Sequence, residues 1–208
     1  MIEELIIRTL CDTLPVAPLD GAFLYGQTPD NEDSVFATAH QVLTAEVAPR
    51  LLFANTPPMS GYNGFSSWKS KLTEQGIPEE KLVPVPPVPR DTQILHTLIE
   101  ARSVVALAKE QQFKSLLVIA ATFQQVRAFM TAVTAALEIY PQLRIYSMPG
   151  KAMPWQEEVV HSQGKVSGTR SELIAGELER INAYHTKGDL ASVQEVLDYL
   201  NRRDKELL

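Results

Sequence analysis

The chain has 208 residues and a formal net charge of −6, so one domain with a helical extension is the simplest organisation. The acidic balance argues against a nucleic-acid binder, because lysine and arginine side chains have to neutralise the phosphates. A single cysteine, Cys11, excludes an internal disulfide and any cysteine-based zinc site.

The N-terminal segment MIEELIIRTLCDTLP carries acidic residues where a secretory signal peptide carries bases. Its apolar positions Leu5, Ile6 and Leu10 have helical spacing. No uninterrupted apolar run in the sequence approaches the roughly 18 residues that a membrane-spanning helix needs. We therefore expect a cytoplasmic protein that makes no stable insertion into a membrane.

Residues 21–148 alternate short apolar runs with longer amphipathic ones, which is typical of a parallel sheet with crossover helices. Strands are predicted within residues 21–26, 50–55, 81–89, 115–120 and 143–148. Helices are predicted over residues 32–46, 68–75 and 91–111, the last being the longest and capped by Asp91, and from residue 122 to just before Pro141.

The tail has a different pattern. Thr169 and Glu172 fit a capping box at the start of one helix, and Gly188 can end it. Asp189 is then the predicted cap of a second helix. Residues 169–208 are therefore predicted to form a helical hairpin. This hairpin either packs on the sheet or pairs two subunits in a homodimer. Residues 1–150 are the predicted sheet-containing domain, and the polar residues 151–168 are a predicted connecting loop.

Ligands of open parallel α/β sheets bind outside the carboxyl ends of the strands, where helix N-termini gather. The loops that follow the predicted strands therefore supply the candidate ligand-binding residues, which are Gly26, Gln27, Thr28, Asn55, Ser60, Gly61 and Gln124. Ser60 is not a predicted nucleophile, because glycine is missing two residues before it. The chain also lacks a Walker loop, a dinucleotide fingerprint and metal-ligand spacing of its histidines, so it indicates no particular cofactor.

Arg127 lies in the first turn of a predicted helix, where a cation opposes the helix dipole. It can join free backbone N–H groups in holding an anion, or it can extend to solvent and pair with a surface carboxylate. His96 and Glu100 lie four residues apart on one helix face, which is either a catalytic pair or the solvent face of an amphipathic helix. His161 lies in a segment that either covers a site or links two elements at the surface.

Four motifs, in order, connect these positions to a known family. They are the strand DGAFLYG, the loop SGYNG, the helix segment TLIEA, with Thr97, Glu100 and Ala101, and the segment FQQVRA, with Arg127. From about Asp20 to Tyr146 the chain resembles the ElyC/SanA/YdcF-like domain, a bacterial α/β family of largely unknown function.

The resemblance implies a three-layer Rossmann-like sandwich with about five mostly parallel strands, followed here by the helical hairpin. It also implies a polar pocket that Glu100 and Arg127 share, together with an anion-binding role for Arg127. The chain departs from the family at Gln124, which stands where the family has histidine. Glutamine forms hydrogen bonds but cannot transfer a proton near neutral pH, so either Glu100 or His161 carries such chemistry here, or there is none.

Two functions follow as hypotheses. The first is an enzyme that acts on a small anionic metabolite, phosphorylated or nucleotide-like, with Glu100 as a general base or as the group that orients water. The second is a non-catalytic ligand-binding or regulatory module, or a factor linked to the cell envelope like the membrane-tethered relatives. Gln124 favours the second hypothesis, because acid–base chemistry is lost at that position.

Overall fold

The computed structural model describes residues 1–161 and 165–208. Five parallel strands form the main sheet: β1 (Ala22–Leu24), β2 (Leu51–Ala54), β3 (Leu82–Val85), β4 (Ser115–Ile119) and β5 (Arg144–Ser147). Their spatial order is β3-β2-β1-β4-β5. The direction of winding reverses between β1 and β4, and ligand crevices of such sheets open at this reversal.

Seven helices accompany the strands of the described residues. They are α1 (Ile2–Leu10), α2 (Pro29–Thr44), α3 (Phe65–Glu74), α4 (Thr97–Glu110), α5 (Gln125–Ile139), α6 (Arg170–Thr186) and α7 (Val193–Asp204), and a short 3-10 helix (Glu79–Lys81) precedes β3. The α/β class, the five-stranded parallel sheet and the two C-terminal helices are therefore as the sequence predicts.

Alternating strand residues divide the interior into two cores, one on each face of the sheet. Phe23 packs with residues of α4 and α5, whereas Leu24 packs with residues of α2 and α3. Because successive side chains of a strand point to opposite faces, a strand that is apolar at every position has to be covered on both sides. The result is a three-layer sandwich. Pro84 is tolerated in β3 because that strand lies at the edge of the sheet.

Helix α4 begins six residues later than predicted, so Asp91 is not its cap. The N-cap is His96, whose Nδ1 accepts a hydrogen bond from Ile99 N at 3.4 Å. Residues 88–93 instead form bends and turns with local hydrogen bonds, including the one from Thr92 Oγ1 to Ile94 O at 2.7 Å. Helix α4 has 14 residues and α6 has 17, so α4 is not the longest helix either.

The tail is a pair of capped helices that cover α5 and the outer edge of β5. The predicted capping box of Thr169 and Glu172 is present, but Asp189 does not cap α7. A second capping box, formed by Ser192 and Glu195, starts that helix. Tyr199 of α7 accepts a hydrogen bond from Ile145 N at 2.6 Å, which ties the tail to the sheet.

An antiparallel hairpin lies within the predicted connecting loop. It consists of β6 (Glu158–His161) and β7 (Val166–Thr169). Each strand has only four residues, and half of these are polar. An alternating pattern as short as this cannot be recognised in the sequence. None of the helices in the described part of the chain is both long and apolar enough to cross a membrane.

Candidate functional site

A cavity of about 390 Å³ opens at the carboxyl ends of β1 and β4, at the reversal of the sheet. Ten of the residues that the sequence singles out line it: Gly26, Gln27, Thr28, Ser60, His96, Thr97, Glu100, Gln124, Arg127 and His161. Asn55 and Gly61 do not line it. Asn55 is exposed, and its backbone N donates to Val85 O, which extends the pairing of β2 with β3.

Two helix N-termini bring the charged residues to the cavity. Glu100 is in the first turn of α4, and Arg127 is in the first turn of α5. Both helices run back from the carboxyl edge of the parallel sheet, so their first turns lie at the same rim. The two side chains therefore face one space although 27 positions separate them in the sequence.

Glu100 is buried, with 4% of its surface exposed, and it is not on a solvent face. Gly26 N donates a hydrogen bond to Glu100 Oε1 at 2.7 Å. A Cβ atom at position 26 would lie 3.1 Å from the same oxygen, so glycine permits this approach. Burial raises the pKa of Glu100 to about 8, although the Gly26 hydrogen bond and the Arg127 charge act in the opposite direction. The carboxyl is mainly protonated at neutral pH.

Arg127 is neutralised inside the protein rather than at its surface. Its Nε donates to Glu177 Oε2 at 2.5 Å, and one terminal nitrogen donates to Thr97 Oγ1 at 2.9 Å. The Tyr184 ring lies 5.9 Å from the guanidinium carbon. The unfavourable position of a cation at a helix N-terminus is thus compensated by a carboxylate of α6, which the sequence does not predict.

Glu177 is the centre of a buried charge cluster. It also contacts His161 Nε2 at 3.1 Å and forms an ion pair with Arg180. Burial alone would raise the pKa of Glu177, but the Arg127 charge and the hydrogen bonds from His161 and Arg127 outweigh it and lower the pKa to about 2. The His161 ring also stands edge-on against Phe123, with the ring centroids 4.9 Å apart. The hairpin β6–β7 therefore contributes to the cavity wall.

Two glutamine amides form the inner wall beside β1 and β4. Gln27 Nε2 donates to Tyr25 O at 3.1 Å and to Gln124 Oε1 at 3.0 Å. Gln27 Oε1 is buried and has no hydrogen-bond partner among the described residues. Gln124 stands where the resembled family has a histidine. The cavity therefore has a neutral amide at this position, and the Gln27 amide is hydrogen-bonded to it.

Other predicted ligand-binding residues have their side-chain oxygens engaged by the protein. Thr28 Oγ1 donates to Val160 O at 2.6 Å, which attaches the hairpin to the start of α2. Ser60 Oγ accepts a hydrogen bond from Leu95 N at 3.0 Å. Ser60 therefore positions the loop that leads into α4, and among the described residues no side-chain base is bonded to its hydroxyl.

Nine of the described residues that line the cavity were not predicted from the sequence, and most of them lie in the C-terminal half. The unpredicted lining residues are Leu95, Leu98, Thr131, Lys165, Val166, Arg180, Tyr184, Asp189 and Leu190. Glu177 carried a usable signal, because it lies between Leu173 and Ile181 at four-residue spacing, on the buried stripe of α6. An acid at a core position is rare unless it is paired, so it indicates a buried cation elsewhere.

Searches of protein-family models and of curated proteins found no match to the chain. Within residues 1–161 and 165–208, no group of three or more histidine, cysteine, aspartate or glutamate side chains could hold a metal ion. The lining residues offer amides for hydrogen bonding, positive charge from arginine and lysine, and three groups of a type that can exchange protons, namely Glu100, His96 and His161.

Proposed function

We propose that the protein is an enzyme that acts on a small anionic metabolite, phosphorylated or nucleotide-like, bound at the carboxyl ends of β1 and β4. The observation that carries the proposal is the convergence of the buried Glu100 carboxyl and the Arg127 guanidinium on one cavity of about 390 Å³. A cavity of this size suits a small metabolite. Membership of the ElyC/SanA/YdcF-like family and a cytoplasmic location are parts of the proposal that derive from the sequence.

The charges around the cavity support an anionic ligand. Three cationic side chains, Arg127, Arg180 and Lys165, line it. The opposing carboxylates are Asp189, which also lines it, and Glu177, which is bonded to both arginines. Because Glu100 is mainly protonated, the balance of these groups is one positive charge, which an anion would neutralise.

Glu100 is suited to act first as a general acid. A carboxyl with a pKa of about 8 holds its proton at neutral pH and is close enough to the working pH to release it. In the proposed step, a hydrolysis, the bond to the leaving atom breaks, its electron pair stays on that atom, and the atom takes the proton of Glu100. Water forms the new bond to the atom that lost the leaving group, and the Glu100 carboxylate takes the proton that this water releases. From the sequence we expect Glu100 to be a general base or to orient water. Burial instead favours its protonated form, which is a general acid.

The test combines a ligand screen with one pair of variants. Nucleotides and sugar phosphates that raise the melting temperature would be incubated with the protein and examined for products. For a ligand that is consumed, we expect Glu100→Gln to lower turnover by about 100-fold or more, because general acid–base groups contribute about 10²–10⁴. Glu110→Gln, at an exposed position of the same helix, should leave turnover unchanged. Equal turnover in Glu100→Gln and the unmodified protein would overturn the role of Glu100.

The second candidate is a non-catalytic binding or regulatory module, and Gln124 is the observation that favours it. The Gln124 amide, which stands in place of the family histidine, can form hydrogen bonds with a ligand but cannot transfer a proton. Ligands that stabilise the protein and are recovered unchanged would support this candidate. A factor linked to the cell envelope, as for the membrane-tethered relatives, is a variant of the same hypothesis.

A further inference from the structure

We infer that the cavity takes its ligand in one orientation, with an uncharged amide- or nucleobase-like head group inside, beside Gln27 and Gln124, and the anionic group at the rim, beside Lys165 and Arg180. The inference rests on the proposed function and narrows its substrate class. The substrate would be a phosphorylated compound whose other end carries both a hydrogen-bond donor and an acceptor.

The inner end of the cavity contains an unsatisfied acceptor. Gln27 is 3% exposed, and its amide orientation is set by Tyr25 O, which can only accept a hydrogen bond and therefore requires Nε2 on its side. Oε1 is left without a partner among the described residues. An unsatisfied buried acceptor costs about 1–3 kcal/mol. This oxygen has almost no accessible surface, so a ligand N–H or O–H group would reach it, and remove that cost, only after a small movement of the side chains at the inner wall.

Gln124 supplies the complementary donor. Its Oε1 is occupied by Gln27 Nε2, so its own Nε2 is the group left to meet a ligand. Among the described residues no acceptor is bonded to that nitrogen. One free acceptor and one free donor, on amides joined by a hydrogen bond, match the edge of an amide or a nucleobase, where a donor and an acceptor are neighbours.

The buried arginine adds positive charge to the cavity, but its ion pair is already formed and two of its N–H groups already donate to the protein. Arg127 already contacts the Glu177 carboxylate at 2.5 Å, and Thr97 accepts from one of its terminal nitrogens at 2.9 Å. A phosphate pushed to this depth would meet the Glu177 charge as well as the guanidinium. It would also lose its hydration, which is costly for a charged group. An uncharged head group avoids both penalties.

The rim offers cations that remain in contact with water. Lys165 is exposed, and within the described part of the chain no carboxylate lies within ion-pair distance of it. The Arg180 side chain is 22% exposed and keeps N–H groups beyond the one that pairs with Glu177. Asp189 also lines the cavity and reduces the positive field, but it is one carboxylate against two cations. A phosphate at the rim would be paired and still partly hydrated.

Two matched pairs of probes test the orientation on the unmodified protein. Uridine 5′-monophosphate is compared with ribose 5-phosphate, and N-acetylglucosamine 1-phosphate with glucose 1-phosphate, by isothermal titration calorimetry. Each pair shares a phosphate and differs in the uncharged head group. We expect at least one compound with an amide-type edge to bind 10-fold or more tightly than its partner. Equal affinities within both pairs would overturn the inference and leave the anion site of the proposed function intact. Failure of all four phosphates to bind would overturn both.

Variants separate the two ends of the cavity. Gln124→Leu should reduce the affinity ratio within the selective pair to about one, while the affinity for the compound without the amide edge stays the same. Lys165→Gln should weaken all binding phosphates by about 5-fold and leave the ratio unchanged. Lys109→Gln, at an exposed position of α4 away from the cavity, is the control and should change neither value. An unchanged ratio in Gln124→Leu, or unchanged affinities in Lys165→Gln, would overturn the corresponding half of the inference.

Discussion

Glu100 illustrates how far a single residue can be understood from its spacing. Its distance of four positions from His96 places both on one helix face, but the same spacing describes a solvent face. In the structure His96 caps the helix and Glu100 is buried against Gly26. The residue types near the site could therefore be predicted, whereas the burial that changes the chemistry of Glu100 could not. The hydrogen-bond donor of Glu100, Gly26, lies 74 positions away in the sequence.

The raised pKa of Glu100 makes protein stability depend on pH. The unfolded carboxyl ionises near its ordinary value of 4.5, whereas the folded one stays protonated until about pH 8. Between these values the folded state holds one more proton, so the free energy of unfolding should fall by about 1.4 kcal/mol per pH unit as pH rises, relative to Glu100→Gln. Urea titrations from pH 5 to 9 measure this difference. Parallel pH profiles of the two proteins would contradict it, and Glu110→Gln is the control.

Among the elements, strands and helix ends differ in how well local sequence specifies them. The five strands of the main sheet follow from apolar runs, because a strand buried on both faces is apolar at nearly every position. The capping box of α6 is likewise local, with both partners within four residues. The hairpin β6–β7 escapes prediction, since its Thr28 and Asp30 anchors lie about 130 positions away.

The start of α7 gives a test at the scale of one element. Ser192 Oγ accepts from Glu195 N, and the Glu195 carboxylate accepts from Ser192 N at 2.7 Å. Ser192→Ala should lower the free energy of unfolding by about 1 kcal/mol, because the first turn loses its capping acceptor. Asp189→Ala, at the cap that the sequence predicted, should change it by less than about 0.5 kcal/mol. Urea denaturation of both variants decides between the two caps, and a larger loss in Asp189→Ala would refute the assignment.

On the scale of the whole molecule, the tail completes the candidate site. Helix α6 supplies the carboxylate that neutralises Arg127 of α5, and Ile181 and Leu197 share a core with α4 and α5. At the other end of the tail, Arg203 of α7 forms a buried ion pair with Asp12, which follows α1. The sheet-containing part and the tail therefore bury common surface.

The variant Glu177→Gln tests how much the stability of the protein depends on the ion pair between α6 and α5. Removing one charge of a buried cluster leaves Arg127 uncompensated, and we expect a loss of about 3–5 kcal/mol in the free energy of unfolding. The lowered pKa adds a second signature. The stability due to Glu177 is present above about pH 4.5 and is lost as pH falls toward 2, so wild type and variant should converge in acid. The matched control is Glu179→Gln on the exposed face of α6. Equal urea midpoints for the two variants at pH 7 would contradict the prediction.

The sequence by itself determined the alternation of strands and helices, the parallel sheet and the strand ends at which Glu100 and Arg127 lie. These features depend on periodicity and on contacts within a few residues. Only the tertiary structure decided that Glu177 pairs with Arg127, that Glu100 is desolvated and that a hairpin joins the cavity wall. The physical reason is that periodicity reports which face of an element is buried, but not which side chain from a distant part of the chain it is buried against.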